Sequence, residues 1–391
     1  MTKADKEGQR KAPILRFKGF TDDWEQRKIK DYVNYRRGSF PQPYGKKEWY
    51  GGNNSMPFVQ VVDVKENLHL ADHTKQRISK LAQPKSVFVP AGEVLVTVQG
   101  SIGKVAITQY PSYIDRTLIV FEKYNTRTDK YFWAYTLQRK FEIEKRKAPG
   151  GTIKTITKKA LSDFSIPITN YEEQGYLGTF FLKVDKLLTL YEKKKQLLTQ
   201  LKQGIVNFLI TKNGQKPQLR FSGFNNNWES KSFEKLLNYE QPTKYIVKKA
   251  DYISQGTPVL TANKSFVLGY TNETNVYQNI PAIIFDDFTL ESKYVDFPFM
   301  VKSSAIKILT SENSNLFFIY QLLNNQRFVQ EGHSRHYISV VQKKKVLVPS
   351  IQEQNKISDL IKQLEDNIEL NSNTIVLLKK LKEFLLQSMF L

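Results

Sequence analysis

A ten-residue segment near the N-terminus returns in the middle of the chain. Residues 15–24 read LRFKGFTDDW and residues 219–228 read LRFSGFNNNW, an offset of 204 residues (219 − 15). A period near half of the 391 residues indicates duplicated domains, because stacked-repeat proteins have periods of about 20–50 residues. The sequence therefore predicts two similar modules that perform two similar tasks.

A second repeated segment closes each half and starts a long helical pattern. Four residues recur 182 positions later (349 − 167), so that Gly150, Ile156, Ile166 and Pro167 become Gly332, Ile338, Val348 and Pro349. A Glu-Gln pair follows each proline, at 173–174 and at 353–354, and opens a stretch rich in Leu, Ile and Lys. The predicted order along the chain is module, helix, module, helix.

The charge balance indicates a polyanionic partner. Lys and Arg number 59 against 38 Asp and Glu, which gives a net charge of +21 and a pI of about 9.6. Such a surplus favours an extended polyanion, and nucleic acid and an acidic membrane surface are the alternatives. The sequence has no apolar run that could span a bilayer, and residues 1–13 lack the apolar core of a signal peptide, so we expect a soluble, cytoplasmic chain.

Metal and thiol chemistry find little support in the residue types. Cysteine is absent, which removes disulfides, thiolate nucleophiles and Cys-based zinc sites. His69 and His73 have the i, i+4 spacing of helical metal ligands, but no third-ligand pattern surrounds them. We therefore expect no metal site and no cofactor bound by this chain.

Both modules have the mixed periodicity of an α+β fold. Strand-like runs occur at 58–64 and 94–98 in the first module and at 282–285 and 305–309 in the second, and helices are predicted at 129–147 and 315–330. The predicted division is a mobile N-terminal arm at 1–13, a first module at 14–170, a first long helix at 171–212, a second module at 213–350 and a second long helix at 351–391.

Apolar residues in both long helical stretches are spaced by three and four, as in a helix that buries one stripe against another helix. The first stripe contains Leu177, Phe181, Val184, Leu188, Leu198 and Leu201, and the second contains Ile357, Ile361, Leu364, Ile368, Leu378 and Leu381. We predict that the two helices pair within the chain as an antiparallel coiled coil that separates the modules with a pseudo-twofold relation. Parallel pairing with another protein is the alternative.

Asn371 interrupts the second stripe where an apolar residue is due. A polar residue in such a seam can fix the register of the two helices at some cost in stability. A local edge exposed to solvent explains the residue equally well.

Catalytic signatures are absent from the sequence. It contains no Pro-Pro pair, which removes the amino-methyltransferase signature of Asn or Asp followed by two prolines and an aromatic residue. GSIGK at 100–104 lacks the spacing of a Walker loop, and Asp286-Asp287 has no His or Lys arrangement that would make it catalytic. We predict that 100–103 is a tight hairpin turn, which either serves the fold alone or presents Gln99, Ser101 and Lys104 to DNA.

Two basic segments stand at equivalent places in the two halves. The first contains Lys145, Arg146, Lys147, Lys154, Lys158 and Lys159 without an acid, and the second contains His333, Arg335, His336, Lys343, Lys344 and Lys345. Phosphates attract such side chains regardless of base sequence. We predict that Lys154, Lys158, Lys159 and Lys343 contact DNA.

Base edges are read by Arg, Asn, Gln or Lys, while phosphate contacts fix the orientation. Candidates for readout are Asn53, Asn54, Gln99 and Arg116 in the first module and Asn263, Lys264, Arg335 and Tyr337 in the second. His336 of the second basic segment is a further candidate for contact with DNA. A solvated surface position is the alternative for each.

The order of short motifs resembles the specificity subunit of bacterial type I restriction-modification systems over nearly the whole chain. The repeated LRF, GF and W positions resemble the start of that family, and PSIQEQNKISDLI at 349–361 resembles the start of its central helices. WYGG at 49–52 and GSIGKV at 100–105 resemble one target-recognition domain, and TPVLTANKSFVLGY at 257–270 with IFDDFTLESKYVDFPF at 284–299 resembles another.

The resemblance implies that each module is a target-recognition domain that reads one half of a bipartite DNA site. It implies that the paired helices set the spacer and dock two modification subunits, which restriction subunits join. S-adenosylmethionine, ATP and Mg would then be bound by those partners, and this chain would be non-catalytic.

Because the modules diverge between 53–103 and 244–298, we expect an asymmetric target. The alternative is a stand-alone DNA-binding or coiled-coil adaptor protein.

Overall fold

The computed structural model describes residues 12–147, 155–210, 217–249, 251–262, 265–328 and 336–391. The chain divides into two compact units, one formed from 1–193 with 372–391 and the other from 194–371. Each unit therefore contains one of the two sheet-rich modules and half of each long helix.

Strands and helices of the first unit alternate over short distances. Its described strands are β1 (Glu25–Lys28), β2 (Val33–Arg37), β3 (Met56–Val59), β4 (Gln76–Ile78), β5 (Val87–Val89), β6 (Val94–Thr97), β7 (Val105–Ile107), β8 (Ser112–Ile114), β9 (Leu118–Tyr124) and β10 (Ser165–Ile168). Its helices are α1 (Ile29–Tyr32), α2 (Lys130–Lys147), α3 (Lys158–Ser162) and the first half of α4 (Tyr171–Leu209). The sheets have the orders β1-β10, β2-β9-β6-β7 and β4-β3-β8-β5.

The second unit repeats this plan with one difference. Its described strands are β11 (Glu229–Ser232), β12 (Asn238–Glu240), β13 (Thr257–Leu260), β14 (Val267–Thr271), β15 (Ala282–Asp286), β16 (Ser292–Val295), β17 (Met300–Val301), β18 (Ile306–Thr310) and β19 (Lys345–Val348). Its helices are α5 (Phe233–Leu236), α6 (Leu316–Asn324), a π-helical turn at Tyr337–Val341 and the first half of α7 (Ile351–Met389). The sheets have the orders β11-β19, β12-β18-β15-β16 and β14-β13-β17. The sheet β4-β3-β8-β5 of the first unit corresponds to the sheet β14-β13-β17 of the second, and these two are called the outer sheets.

The strand predicted at 58–64 is wrong beyond Val59, because a local capping box bends the chain. The carboxylate of Asp63 accepts hydrogen bonds from Gln60 N at 2.8 Å and from Lys75 N at 2.8 Å. These bonds turn Val61–Asp63 into a 3₁₀ helix. A local side-chain bond therefore overrides the preference of the valines for a strand.

The helix predicted at 315–330 is confirmed at its start and wrong at its end. Asn315 is its N-cap, because its side-chain oxygen accepts from Phe318 N at 3.0 Å. The helix ends at Asn324, and Asn325 N donates to Gln321 O at 3.0 Å as the chain leaves the helix. The strands predicted at 94–98, 282–285 and 305–309 are confirmed by β6, β15 and β18.

The repeated LRF segment closes on the start of each long helix. Arg16 donates to the Glu173 carboxylate through Nε at 2.6 Å and Nη2 at 2.8 Å, and Arg220 does the same to Glu353 at 2.9 and 2.7 Å. Both carboxylates are buried, and bidentate pairs of this kind combine charge with fixed geometry. The hydrogen bond to Glu173 raises the pKa of Arg16.

The glutamine of each Glu-Gln pair joins the long helix to the helix of its module. Gln174 Oε1 accepts from Asp129 N at 3.0 Å, and Gln354 Oε1 accepts from Asn315 N at 2.9 Å. Their Nε2 groups donate to the carbonyls of Thr169 at 2.7 Å and of Pro349 at 3.0 Å. The Glu-Gln repeat is therefore a repeated set of structural contacts.

The long helices pair antiparallel in each unit, as predicted. In the first unit, Asp185 pairs with Lys382 at 2.5 Å and Glu192 pairs with Lys379 at 2.8 Å, so positions rise along α4 as they fall along α7. In the second unit, Lys202 forms an ion pair with Glu365.

The buried seam of the pair differs from the predicted stripe at two positions. Leu201 and Leu381 are 51% and 47% exposed, so their assignment to the buried stripe is wrong. The adjacent residues Lys202 and Lys382 are less exposed and turn their charges towards acids of the other helix. Ion pairing, which the apolar spacing cannot reveal, takes the place of leucine packing there.

Asn371 lies inside the helix pair. It is 2% exposed, and its Nδ2 donates to Asn367 O at 2.6 Å. The interpretation as a solvent-exposed edge is therefore wrong, and Asn371 is a buried polar residue of the second unit.

The C-terminal end of α7 completes the core of the first unit. Phe390 is buried against Trp24, Phe132 and Phe181, and Leu15 N donates to Ser388 O at 2.9 Å. Both ends of the described chain therefore stabilise the same unit. No helix among the described residues is both long and apolar enough to cross a membrane.

Candidate nucleic-acid interface

The glycine-rich turn at 100–103 is a hairpin turn, as predicted. It joins β6 to the antiparallel β7 and folds around the buried Thr97, whose Oγ1 donates to Ser101 O at 2.5 Å and accepts from Lys104 N at 2.9 Å. A Cβ added to Gly103 would lie 2.7 Å from Phe141 of α2, so glycine is required by packing as well as by its φ of +76°.

Three predicted contact regions of the first unit meet at one end of β6 and β9. Gln99 forms a β-bridge with Thr155, and Val98 N donates to Thr117 O at 2.9 Å. Gln99, Arg116 and the start of the basic helix α3 are therefore neighbours. Lys158 and Lys159 of α3 are exposed, while Lys154 lies outside the described residues.

The remaining candidates of the first unit lie elsewhere. Asn53 and Asn54 are exposed in the turn before β3, where Gln83 Nε2 donates to Asn54 O at 2.9 Å. Ser101 is exposed at the hairpin turn. Lys104 lines a cavity of about 560 Å³ together with Lys379 and Lys382 of α7.

The described candidate residues of the second unit divide between a buried turn and the surface. Asn263, Lys264 and Arg335 lie outside the described residues, and Lys343 is exposed. His336 and Tyr337 are fully buried, so their side chains face the core and not the surface on which Lys343 lies. Lys344 Nζ donates to Arg327 O at 2.9 Å, and burial lowers the pKa of Lys344.

Asp287 has the basic neighbours that the sequence analysis did not find. Lys307 Nζ lies 3.2 Å from its carboxylate, and His336 Nδ1 lies 3.1 Å from its carbonyl oxygen. Both neighbours come from segments distant in sequence, which is why the sequence around Asp286-Asp287 does not reveal them. All three residues are buried, and Asp287 Oδ1 also accepts from Tyr337 N at 2.8 Å, so the cluster anchors the π-helical turn.

The two histidines with helical metal-ligand spacing lie in a loop. His69 Nδ1 lies 2.6 Å from Asn67 O. Within the described ranges, no cluster of three or more His, Asp or Glu side chains could hold a metal ion.

Exposed leucines occupy equivalent positions on the long helices of both units. Leu190, Leu377 and Leu381 are exposed in the first unit, and Leu370, Leu197 and Leu201 are exposed in the second. Each residue has its equivalent 180 positions away (370 − 190). These leucines therefore form two equivalent exposed sets, one on the helices of each unit.

A family model for the type I restriction modification DNA specificity domain matches residues 21–200 and 225–380, one stretch in each half of the chain. Tandem copies of this domain are the class that the duplicated modules and paired helices define. The chain belongs to this family.

Similar proteins carry the same description. The specificity subunit of the type I restriction enzyme EcoR124I/EcoR124II of Escherichia coli is 50% identical over 123 residues, which are 29% of this chain and 30% of that protein. The type I restriction enzyme MjaIX specificity subunit of Methanocaldococcus jannaschii is 22% identical and covers 93% of this chain and 92% of that protein.

A solved structure has the same fold. The S subunit of a type I restriction-modification system from M. genitalium superimposes with a TM-score of 0.66 at 17% identity, over 97% of this chain and 99% of that one. At this identity, the likeness supports the two-module fold with paired long helices.

Proposed function

We propose that this chain is the DNA-specificity subunit of a type I restriction-modification complex, and that each unit reads one half of a bipartite site. The observation that carries the proposal is that the contacts between each module and its long helix are repeated, while the outer sheets, which we assign to DNA reading, differ. The Arg16–Glu173 contact is repeated as Arg220–Glu353. The outer sheets differ, with four strands in the first unit and three among the described residues of the second.

The difference between the outer sheets favours an asymmetric target. Two identical readers would select a palindrome, because equal surfaces select equal half-sites. Here the sheet β14-β13-β17 repeats the order and pairing directions of β4-β3-β8, but β5 has no counterpart among the described residues of the second unit. In this proposal, the long helices set the spacer between the half-sites.

The two leucine sets support two copies of one partner. We assign them to two modification subunits, which would carry the methyltransferase site with S-adenosylmethionine. Restriction subunits would supply ATP- and Mg-dependent translocation and cleavage. This chain would contribute no catalytic step and would work in the cytoplasm, where its DNA target lies.

Methylome sequencing of the host with and without the gene tests the proposal. We expect one asymmetric bipartite motif to be methylated only when the gene is present. A symmetric motif would contradict two different readers. An unchanged methylome, combined with no sequence preference in DNA binding by the assembled complex, would favour a stand-alone adaptor instead.

A further inference from the structure

Arg116 differs from most arginines of the first unit because its guanidinium has no polar partner among the residues that the structure describes. Carboxylates face Arg16, Arg27, Arg36 and Arg139, and uncharged oxygens accept from Arg37 and Arg77. Among the described residues, the guanidinium of Arg116 forms no hydrogen bond or ion pair. It lies instead over the ring of Phe40, with Cζ 4.8 Å from the ring centroid.

The backbone around Arg116 is held on both sides. Arg37 Nε donates to the Arg116 carbonyl at 2.5 Å, and the Asp115 carboxylate accepts from Thr117 N at 2.9 Å. Gly38 lies so close to this loop that an added Cβ would be 2.2 Å from Asp115 O. The segment that carries Phe40 is therefore laid directly against the segment that carries Arg116.

The surroundings of Arg116 are aromatic and basic. Tyr44 is 59% exposed, and its ring centroid lies 4.6 Å from that of Phe40. Trp49 follows Tyr44 in the segment between β2 and β3, and Lys85 Nζ lies 4.6 Å from the centroid of its ring. Cations on aromatic faces are attracted by the ring quadrupole. The rings of Trp49 and Phe40 therefore restrain the side chains of Lys85 and Arg116.

Arg127 provides an internal comparison. It also lacks a polar partner among the described residues and lies over Tyr171 at 4.0 Å. The cavity that it lines, however, is also lined by Asp22, Asp23 and Glu25. Those carboxylates disfavour the approach of phosphates, whereas no carboxylate of the described ranges is paired with the exposed side chain of Arg116.

We propose that Arg116 reads a guanine in the half-site of the first unit. This inference rests on the proposed function and names the base that one residue selects. A planar guanidinium presents two N–H groups along one edge, which match O6 and N7 of guanine in the major groove. Because Phe40 already orders the side chain, little rotamer freedom is lost on binding.

The test compares Arg116→Ala with Arg127→Ala in the complex of the full chain with its modification subunits. We expect Arg116→Ala to relax the requirement for guanine at one position of one half-site in the methylome. Affinity for the cognate duplex should fall about 5- to 150-fold, the range for one bidentate base contact. Affinity for a scrambled duplex should not change, and Arg127→Ala should match the wild type in both assays.

A third variant, Phe40→Leu, separates positioning from contact. It keeps the arginine and removes the aromatic face, so we expect a smaller loss of affinity at the same base position. Equal thermal unfolding of all variants checks that each folds.

Two results would overturn the role of Arg116. An equal fall for cognate and scrambled duplexes would make it a phosphate contact, and an unchanged motif would remove it from the interface. A wild-type complex without any sequence preference would overturn the proposed function itself, independently of the variants.

Discussion

Lys382 of α7 forms an ion pair of 2.5 Å with Asp185 of α4, whose carboxylate is fully buried. Tyr135 of α2 donates to the same carboxylate at 2.7 Å, and Lys382 lies over the tyrosine ring at 5.6 Å. Burial, together with the charge of Asp185, raises the pKa of Tyr135. One buried carboxylate thus joins both long helices to the helix of the first module.

The second unit contains the equivalent group of residues. Lys202 of α4 pairs with Glu365 of α7, and Gln321 of α6 donates to that carboxylate at 3.4 Å. Each charged residue has its equivalent 180 positions away (382 − 202 and 365 − 185). The duplication therefore extends to the contacts that attach each module to the helix pair.

Removing Lys382 should destabilise the first unit strongly. Lys382→Met leaves the Asp185 carboxylate buried without its cation, and such a loss costs about 3–5 kcal/mol of unfolding free energy. The double variant Asp185→Asn/Lys382→Met should recover part of the loss, because no charge then remains buried. Urea unfolding, followed by hydrogen exchange in α2, measures the unfolding free energy of both variants. Lys380→Met, at an exposed position of the same helix, is the control. A double variant no more stable than Lys382→Met would contradict this explanation.

Charged substitutions in one leucine set should remove one modification subunit. Leu377→Asp/Leu381→Asp changes the set of the first unit, and Leu197→Asp/Leu201→Asp changes that of the second. Native mass spectrometry of the assembled complex should show one modification subunit for either pair and none for both together, because a buried charge in an apolar interface costs several kcal/mol. Leu81→Asp, at an exposed leucine of the turn after β4, should retain two. Retention of two subunits by both paired variants would place docking elsewhere.

Replacing Lys154, Lys158 and Lys159 by Ala should weaken binding to all DNA sequences alike. Lysines that contact phosphates release counterions, so each lost contact reduces the magnitude of the negative slope of log K against log salt by about 0.9. Fluorescence anisotropy with cognate and scrambled duplexes at several salt concentrations measures this slope. The exposed helix lysines Lys186 and Lys193, replaced by Ala, provide the control. Unchanged affinity at every salt concentration would remove the segment from the interface.

Phe390→Ala should destabilise the first unit while leaving the core of the second intact. The phenylalanine stacks on Phe132 and meets Trp24 edge-on, and loss of a buried aromatic ring costs about 3–5 kcal/mol. Hydrogen exchange should accelerate in β2 and β9 and stay unchanged in β15 and β18. Equal acceleration in both units would show that the cores are not separate.

Long-range repetition made the fold predictable from the sequence. The offset repeats predict two modules and two helices, and the three-four spacing predicts that the helices beginning at Tyr171 and Ile351 each bury one stripe. The spacing does not determine the antiparallel direction, which the Asp185–Lys382 and Glu192–Lys379 pairs confirm. Periodicity could not decide between adjacent residues, however. Leu201 was assigned to the seam because it is apolar, but Lys202 lies there, since its charge finds Glu365 on the other helix.

The candidate site was less predictable because residue type does not reveal exposure. His336 and Tyr337 stand in a basic segment, yet the buried Asp287 draws both into the core through backbone and carbonyl contacts. Phe40 and Tyr44 were missed because isolated aromatics suggest core packing. Backbone contacts of Gly38 and Ser39 with a segment distant in sequence bring Phe40 to Arg116.

Affinity of the assembled complex for four duplexes tests the two-reader account most directly, once the methylated motif is known. One duplex carries both half-sites intact, two carry one scrambled half-site each, and the fourth has both half-sites scrambled. The account predicts that each single scramble weakens binding, that the losses in free energy add for well-separated positions, and that the double scramble reaches nonspecific affinity. Full affinity after scrambling one half-site would contradict it.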